Sequence, residues 1–111
     1  MTTRPSATLI TCMLRHGRGV DLIARLAEEK GIQSGNVTSG RGRGDGRRGL
    51  GVWTEIDILE VAVPAERAEE IFEFLYEASG VGEPNGGMMF QHSLARATPF
   101  ALPESTPEAG S

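Results

Sequence analysis

The chain has 111 residues, 39% of them hydrophobic and 5% aromatic, with a formal net charge of −4. That length holds one domain with a single modest core, and mild net acidity argues against bulk nucleic-acid affinity for the domain as a whole. A lone cysteine, Cys12, excludes a disulfide framework and a cysteine metal cluster. No apolar run approaches the ~20 residues of a membrane helix. The opening MTTRPSATLITCML is too short and too polar in its apolar run to be expected to act as a secretory signal. The expected compartment is the cytoplasm.

Residues 7–14 (ATLITCML) are β-branched and apolar over the length of a buried strand. RHGRG then turns the chain, and a helix is expected over residues 20–30. Val20, Ile23, Leu26 and Ala27 share one face, flanked by Leu22. Asp21 and Lys30 suit the helix dipole, and Gly31 is the expected stop. Lys30, the only lysine, is expected to be solvated. A short strand follows over residues 32–39, with Gly35 as a bulge.

Residues 52–63 (VWTEIDILEVAV) read as a long strand that alternates in two phases. Ile56 and Ile58 share one face, whereas Leu59, Val61 and Val63 share the other. A bulge near Ile58, or burial of both faces, accounts for such a slip. Pro64 suits the first position of a second helix, over residues 65–78. Its apolar stripe is Ala68, Ile71, Phe72, Leu75 and Ala78, opposite a solvated row of glutamates. A glycine-rich turn (SGVGEPNGG) leads into a last strand over residues 88–94.

The order β-α-β-β-α-β predicts an α+β, ferredoxin-like domain with an antiparallel sheet and two helices on one face. Residues 1–6 form an N-terminal extension, 7–100 the domain, and 101–111 a tail with a disordered composition. The second sheet face needs a partner, so a homo-oligomer is expected.

One segment stands out. Residues 40–51 read GRGRGDGRRGLG, half of them glycine. Such density is not expected in a helix or strand centre, because each glycine loses the most backbone entropy on ordering. Arg41, Arg43, Arg47 and Arg48 against Asp45 make the segment net +3, so the remainder carries −7 of the total −4. An acidic body thus presents one basic loop. Arginine forks and glycine amides suit phosphate or carboxylate groups. A solvated surface loop is the plain alternative.

Enzymatic chemistry finds little support in the residues. His16 and His92 lack metal-ligand spacing, and Cys12 is expected to be buried without an activating base. No dinucleotide fingerprint joins a strand to a helix.

GIQSGNVTSGRGRG (residues 31–44) resembles the run from the end of helix one into the T-loop of PII signal-transduction proteins. GVGEPNGGMMF (residues 80–90) is similar to that family's B-loop and the strand after it. The resemblance implies a trimer of ferredoxin-like subunits with no enzymatic activity. It further implies an adenine nucleotide (AMP, ADP or ATP) or a bicarbonate-type anion in the clefts between subunits. The T-loop would act on a partner protein such as a membrane transporter or a metabolic enzyme.

Carried over by position, Gly42 and Gly44 match glycines at the T-loop base. Glu60 matches a glutamate of the strand leaving the loop, Gly82 and Glu83 open the B-loop and Gly87 closes it, and Arg96 matches an arginine of the final segment. Arg41 and Arg43 would supply charge at the loop base, beside Gly86 and Gly87. Arg47, Arg48 and Leu50, further out, would meet the partner protein. The departures are specific. Met88 stands where the family has a phosphate-gripping lysine, and Pro99 and Ala101 stand where it has arginines. The loop is shorter than the family's and has no tyrosine.

Two other readings remain open from the residues alone. One is an RNA-binding module using the arginine-glycine loop, although Trp53 is the only aromatic beside it. The other is a small ferredoxin-like enzyme or metal-tolerance trimer.

Overall fold

A computed structural model describes residues 7–43, 53–84 and 86–98. The elements are β1 (Ala7–Arg15), α1 (Arg18–Lys30), β2 (Asn36–Arg43), β3 (Trp53–Pro64), a 3-10 turn (Ala65–Arg67), α2 (Ala68–Ser79) and β4 (Gly87–Leu94). The four strands form one antiparallel sheet in the order β2-β3-β1-β4. The expected α+β class, element order and sheet are therefore observed.

Side chains alternate across a sheet, so register decides which face each residue meets. Ile10, Cys12 and Leu14 of β1 stand beside Val61, Leu59 and Asp57 of β3. That face carries both helices. Its core joins these residues, except Asp57, to Val63, Leu22 and Leu26 of α1, and Ile71 and Leu75 of α2. The opposite face carries Leu9, Met13, Ile56, Ile58 and Met88 by the same register. Met88 is 56% exposed there.

The two-phase pattern of β3 has a simpler cause than a bulge. Pairing with both neighbours is unbroken along the strand. Asp57 simply occupies the helix-side phase ahead of Leu59, Val61 and Val63, and it is only 4% exposed. A carboxylate sits in a position that reads as core.

α1 begins at Arg18, two residues before the expected start, and its buried residues are Gly19, Leu22 and Leu26. Val20 is 68% exposed, which corrects the expected apolar face. Gly19 sets that rotation, because a Cβ there would lie 2.9 Å from Val37 and 3.1 Å from Asp57. Only a glycine lets this turn of helix lie so close to the sheet. Gly31 closes α1 in the left-handed region (φ 68°), its amide donating to Ala27 at 3.2 Å.

β2 runs from Asn36 to Arg43, later than expected, and Gly35 precedes it. Gly40 to Arg43 are therefore strand, paired with Ile56 to Trp53 of β3. The existing β3 template offsets the entropy penalty of the glycines. Pro64 ends β3 and precedes the 3-10 turn, so it sits just outside the helix it was expected to open. Ala68, Ile71 and Leu75 are buried along α2, and Phe72 and Ala78 pack against the core at partial exposure. Lys30 is not merely solvated. Its ammonium lies 3.4 Å from Glu70 and 5.3 Å from the Phe74 ring centre, tying α1 to α2.

Cys12 is fully buried, as expected, and burial pushes its thiol up to about 12. Burial disfavours the thiolate in the folded chain alone. Stability from this group is complete below about pH 9, where the unfolded thiol titrates, and is lost as pH rises toward 12. Native protein at pH 8 is expected to resist a disulfide-exchange reagent, with one thiol appearing on denaturation. Stoichiometric labelling of folded protein would contradict this.

Candidate ligand site

Antiparallel pairing gathers several chain segments at one end of the sheet. The C-terminal end of β1 (Leu14, Arg15) lies beside Asp57 and Ile56 of β3, and the N-terminal end of β4 starts at Gly87 against Leu14. The C-terminal end of β2 (Gly40 to Arg43) meets the start of β3 at the same end. The α1 N-terminus and the turn after α2 complete it.

Asp57 organises this end. Its Oδ2 accepts from the amides of Gly17 and Gly19, both at 2.9 Å. The N-cap residue itself, Gly17, has no side chain to do this and lies in the left-handed region (φ 94°). A strand carboxylate thus caps a helix from forty residues away, satisfying two of the donors a helix start leaves open. The other oxygen lies 3.3 Å from Nδ1 of His16, an exposed imidazole.

The turn after α2 is held from two sides. Within it, Glu83 donates its amide to Gly80 at 3.0 Å and Gly86 donates to Glu83 at 2.9 Å. Arg15 donates from Nη2 to the Pro84 carbonyl at 3.1 Å. Arg18 donates from Nη2 to the Ser79 carbonyl at 3.2 Å. Gly86 is buried, and a Cβ there would collide with the Gly80 carbonyl oxygen. A Cβ on Gly87 would collide with the Met13 carbonyl oxygen, and its φ is +120°.

The residues singled out in the sequence fall in three places. Gly86, Gly87 and Met88 belong to the turn and the start of β4. Arg41 is exposed opposite Glu55, with Gly42 and Arg43 following at the end of β2. Those two groups share an end of the sheet but lie on its opposite edge strands, about 14 Å apart at three strand spacings. Glu60 is half-buried in mid-strand beside Thr11 and Asn36. Arg96 is exposed beyond the C-terminal end of β4, the end of the sheet away from Gly87. Gly44, Arg47, Arg48 and Leu50 lie outside the described residues.

Sequence reasoning missed Asp57, Arg15 and Arg18. The signal for Asp57 was present, as a carboxylate inside an otherwise apolar strand. Among the described residues, no group of three or more histidine, cysteine or carboxylate side chains could hold a metal ion. Among them, too, no helix is long and apolar enough to cross a membrane.

Two solved structures share this arrangement. PII from Arabidopsis thaliana, bound to citrate, superposes with a TM-score of 0.67 at 19% identity, over 81% of this chain and 78% of that one. GlnK from B. subtilis, in complex with ATP, superposes with a TM-score of 0.68 at 16% identity, over 82% and 84%. The chain has the PII fold. At these identities the likeness is one of backbone architecture. No family model matches the sequence, and no curated protein matches it. In the PII fold of this chain, the β2–β3 connection and the turn before β4 emerge from the same end of the sheet.

Proposed function

We propose that this protein is a non-enzymatic, cytoplasmic signalling component of the PII type, built as a homotrimer. It binds an adenine nucleotide or a small anion of the bicarbonate type at clefts between copies. It then acts on a partner protein, a membrane transporter or metabolic enzyme, through residues 40–51. One observation carries the reading. The end of β2 and the glycine turn before β4 lie at one end of the sheet but on opposite edges, so a neighbouring copy is needed to close a cleft between them. The PII fold supports it, since one structural neighbour holds ATP and the other citrate.

The apolar sheet face supports the trimer. Leu9, Met13, Ile56, Ile58 and Met88 share it, more apolar surface than a lone domain of this size usually leaves open. In this reading Arg41, Gly42, Arg43, Gly44, Glu60, Gly86, Gly87 and Met88 line the cleft, with Arg96 reaching it only from a neighbouring copy, whereas Arg47, Arg48 and Leu50 serve the partner.

Light scattering at micromolar concentration is expected to return three times the monomer mass. Calorimetry with AMP, ADP, ATP and bicarbonate is expected to find one ligand per copy. A monomer that binds none of these removes the reading. Arg47→Ala/Arg48→Ala is expected to leave ligand affinity unchanged and to weaken capture of the partner.

A further inference from the structure

The reading above leaves open which cations meet the charged end of the ligand. Met88 supplies none, and its register places it beside Met13 on the apolar face. Arg96 lies at the other end of β4, and Arg41 three strands across. Among the described residues, the guanidinium groups that touch the turn are those of Arg15 and Arg18. Neither was indicated by the resemblance.

Resting on the proposed ligand class, we infer that the anionic group of the ligand is held at this turn by Arg15 and Arg18. Arg15 reaches the Pro84 side of the turn and Arg18 the Ser79 side, so the two positive charges bracket it. Both come from the β1–α1 junction, whose course is fixed by the Asp57 contacts to Gly17 and Gly19. The cations are thus positioned before any ligand arrives, which lowers the ordering cost of binding. A guanidinium fork also matches the oxygens of phosphate or carboxylate.

Glu83 is the carboxylate of the turn. Its Oε1 lies 3.7 Å from the point where a Cβ on Gly80 would stand, and Arg18 Nη2 lies 3.2 Å from that same point. The carboxylate and the Arg18 guanidinium therefore both border the space over Gly80, on the side of the turn that an incoming anion would approach. The carboxylate opposes the anion by like charge and competes for the arginine. Glu83 sets a ceiling on affinity, which suits a sensor that must release its ligand.

Calorimetry on the full chain, with ATP, inorganic phosphate and bicarbonate as separate probes, tests this. Arg15→Gln and Arg18→Gln are each expected to weaken binding of the ligand about tenfold. Glu83→Gln is expected to tighten it about threefold, the effect of removing one nearby like charge in a wet site. Both arginines also hold turn carbonyls, so a folding control is needed. Arg15→Lys and Arg18→Lys keep the charge and are expected to retain most of the affinity. Lysine and glutamine variants that fail alike, or a silent Glu83→Gln, would assign the arginines to holding the turn only. Ligand binding that survives both glutamine variants but is lost in Arg41→Ala or Arg43→Ala overturns this assignment and leaves the proposed function standing. Wild-type protein that binds none of the probes overturns both.

Discussion

Replacing Asp57 with alanine is expected to lower the free energy of unfolding by about 2–5 kcal/mol, a large share of the stability of a domain this size. Asp57 is 4% exposed and accepts from two helix amides at 2.9 Å each. Alanine leaves both donors without that acceptor, and the Gly19 amide is in a buried hydrogen bond, where water does not readily replace it. A lost charged cap alone is worth about 1–2 kcal/mol, and an unsatisfied buried donor adds about 1–3. Asp57→Asn keeps an acceptor of similar shape and is expected to lose less than half as much. Urea titration followed by circular dichroism reads both. Equal midpoints for wild type and Asp57→Ala would mean that α1 starts without help from β3.

Gly87→Ala is expected to be at least as damaging, for a different reason. The backbone at Gly87 has φ +120°, a region that side chains rarely adopt, at about 1–3 kcal/mol. The added methyl also meets the Met13 carbonyl oxygen, with the carbonyl carbon 3.0 Å away and Leu14 Cα at 3.4 Å. These are backbone atoms of β1, paired with strands on both sides, and cannot rotate aside, so overpacking adds about 1–3 kcal/mol more. A fall of roughly 10–30 °C in melting temperature follows for a domain near this length. Gly31→Ala is the matched control. It is also at positive φ (+68°) but has nothing within 4 Å, so it is expected to cost only about 1 kcal/mol. If the two substitutions cost the same, the collision with β1 is not what requires glycine before β4.

The architecture was legible because the decisive signals were local. The stripe Ala68, Ile71, Leu75 defined α2, and Gly31 marked the end of α1 where the left-handed cap is found. The misjudged details were non-local. The true start of α1 depends on Asp57, which only the folded sheet brings to Gly17. The strand character of Gly40 to Arg43 depends on the partner residues Trp53 to Ile56, not on glycine propensity. The candidate site divides in the same way. Glycines at the turn were visible as composition, and Gly86 and Gly87 prove sterically required. The arginines that touch that turn come from far earlier in the chain and carry no spacing signal that would join them to it.

The hairpin of β2 and β3 has a consequence for how such a protein can diversify. Eight consecutive pairs, from Asn36↔Glu60 to Arg43↔Trp53, fix the two strands independently of the connection between them. β2 is also an edge strand, so the connection leaves the sheet at its margin. Doubling the length of a connection between two fixed ends costs only about 0.6 kcal/mol in closure entropy. Residues 44–52 can therefore be lengthened, shortened or exchanged with little penalty to the fold. Selection on this segment is nearly uncoupled from selection on stability, and one scaffold can carry many different sequences between β2 and β3.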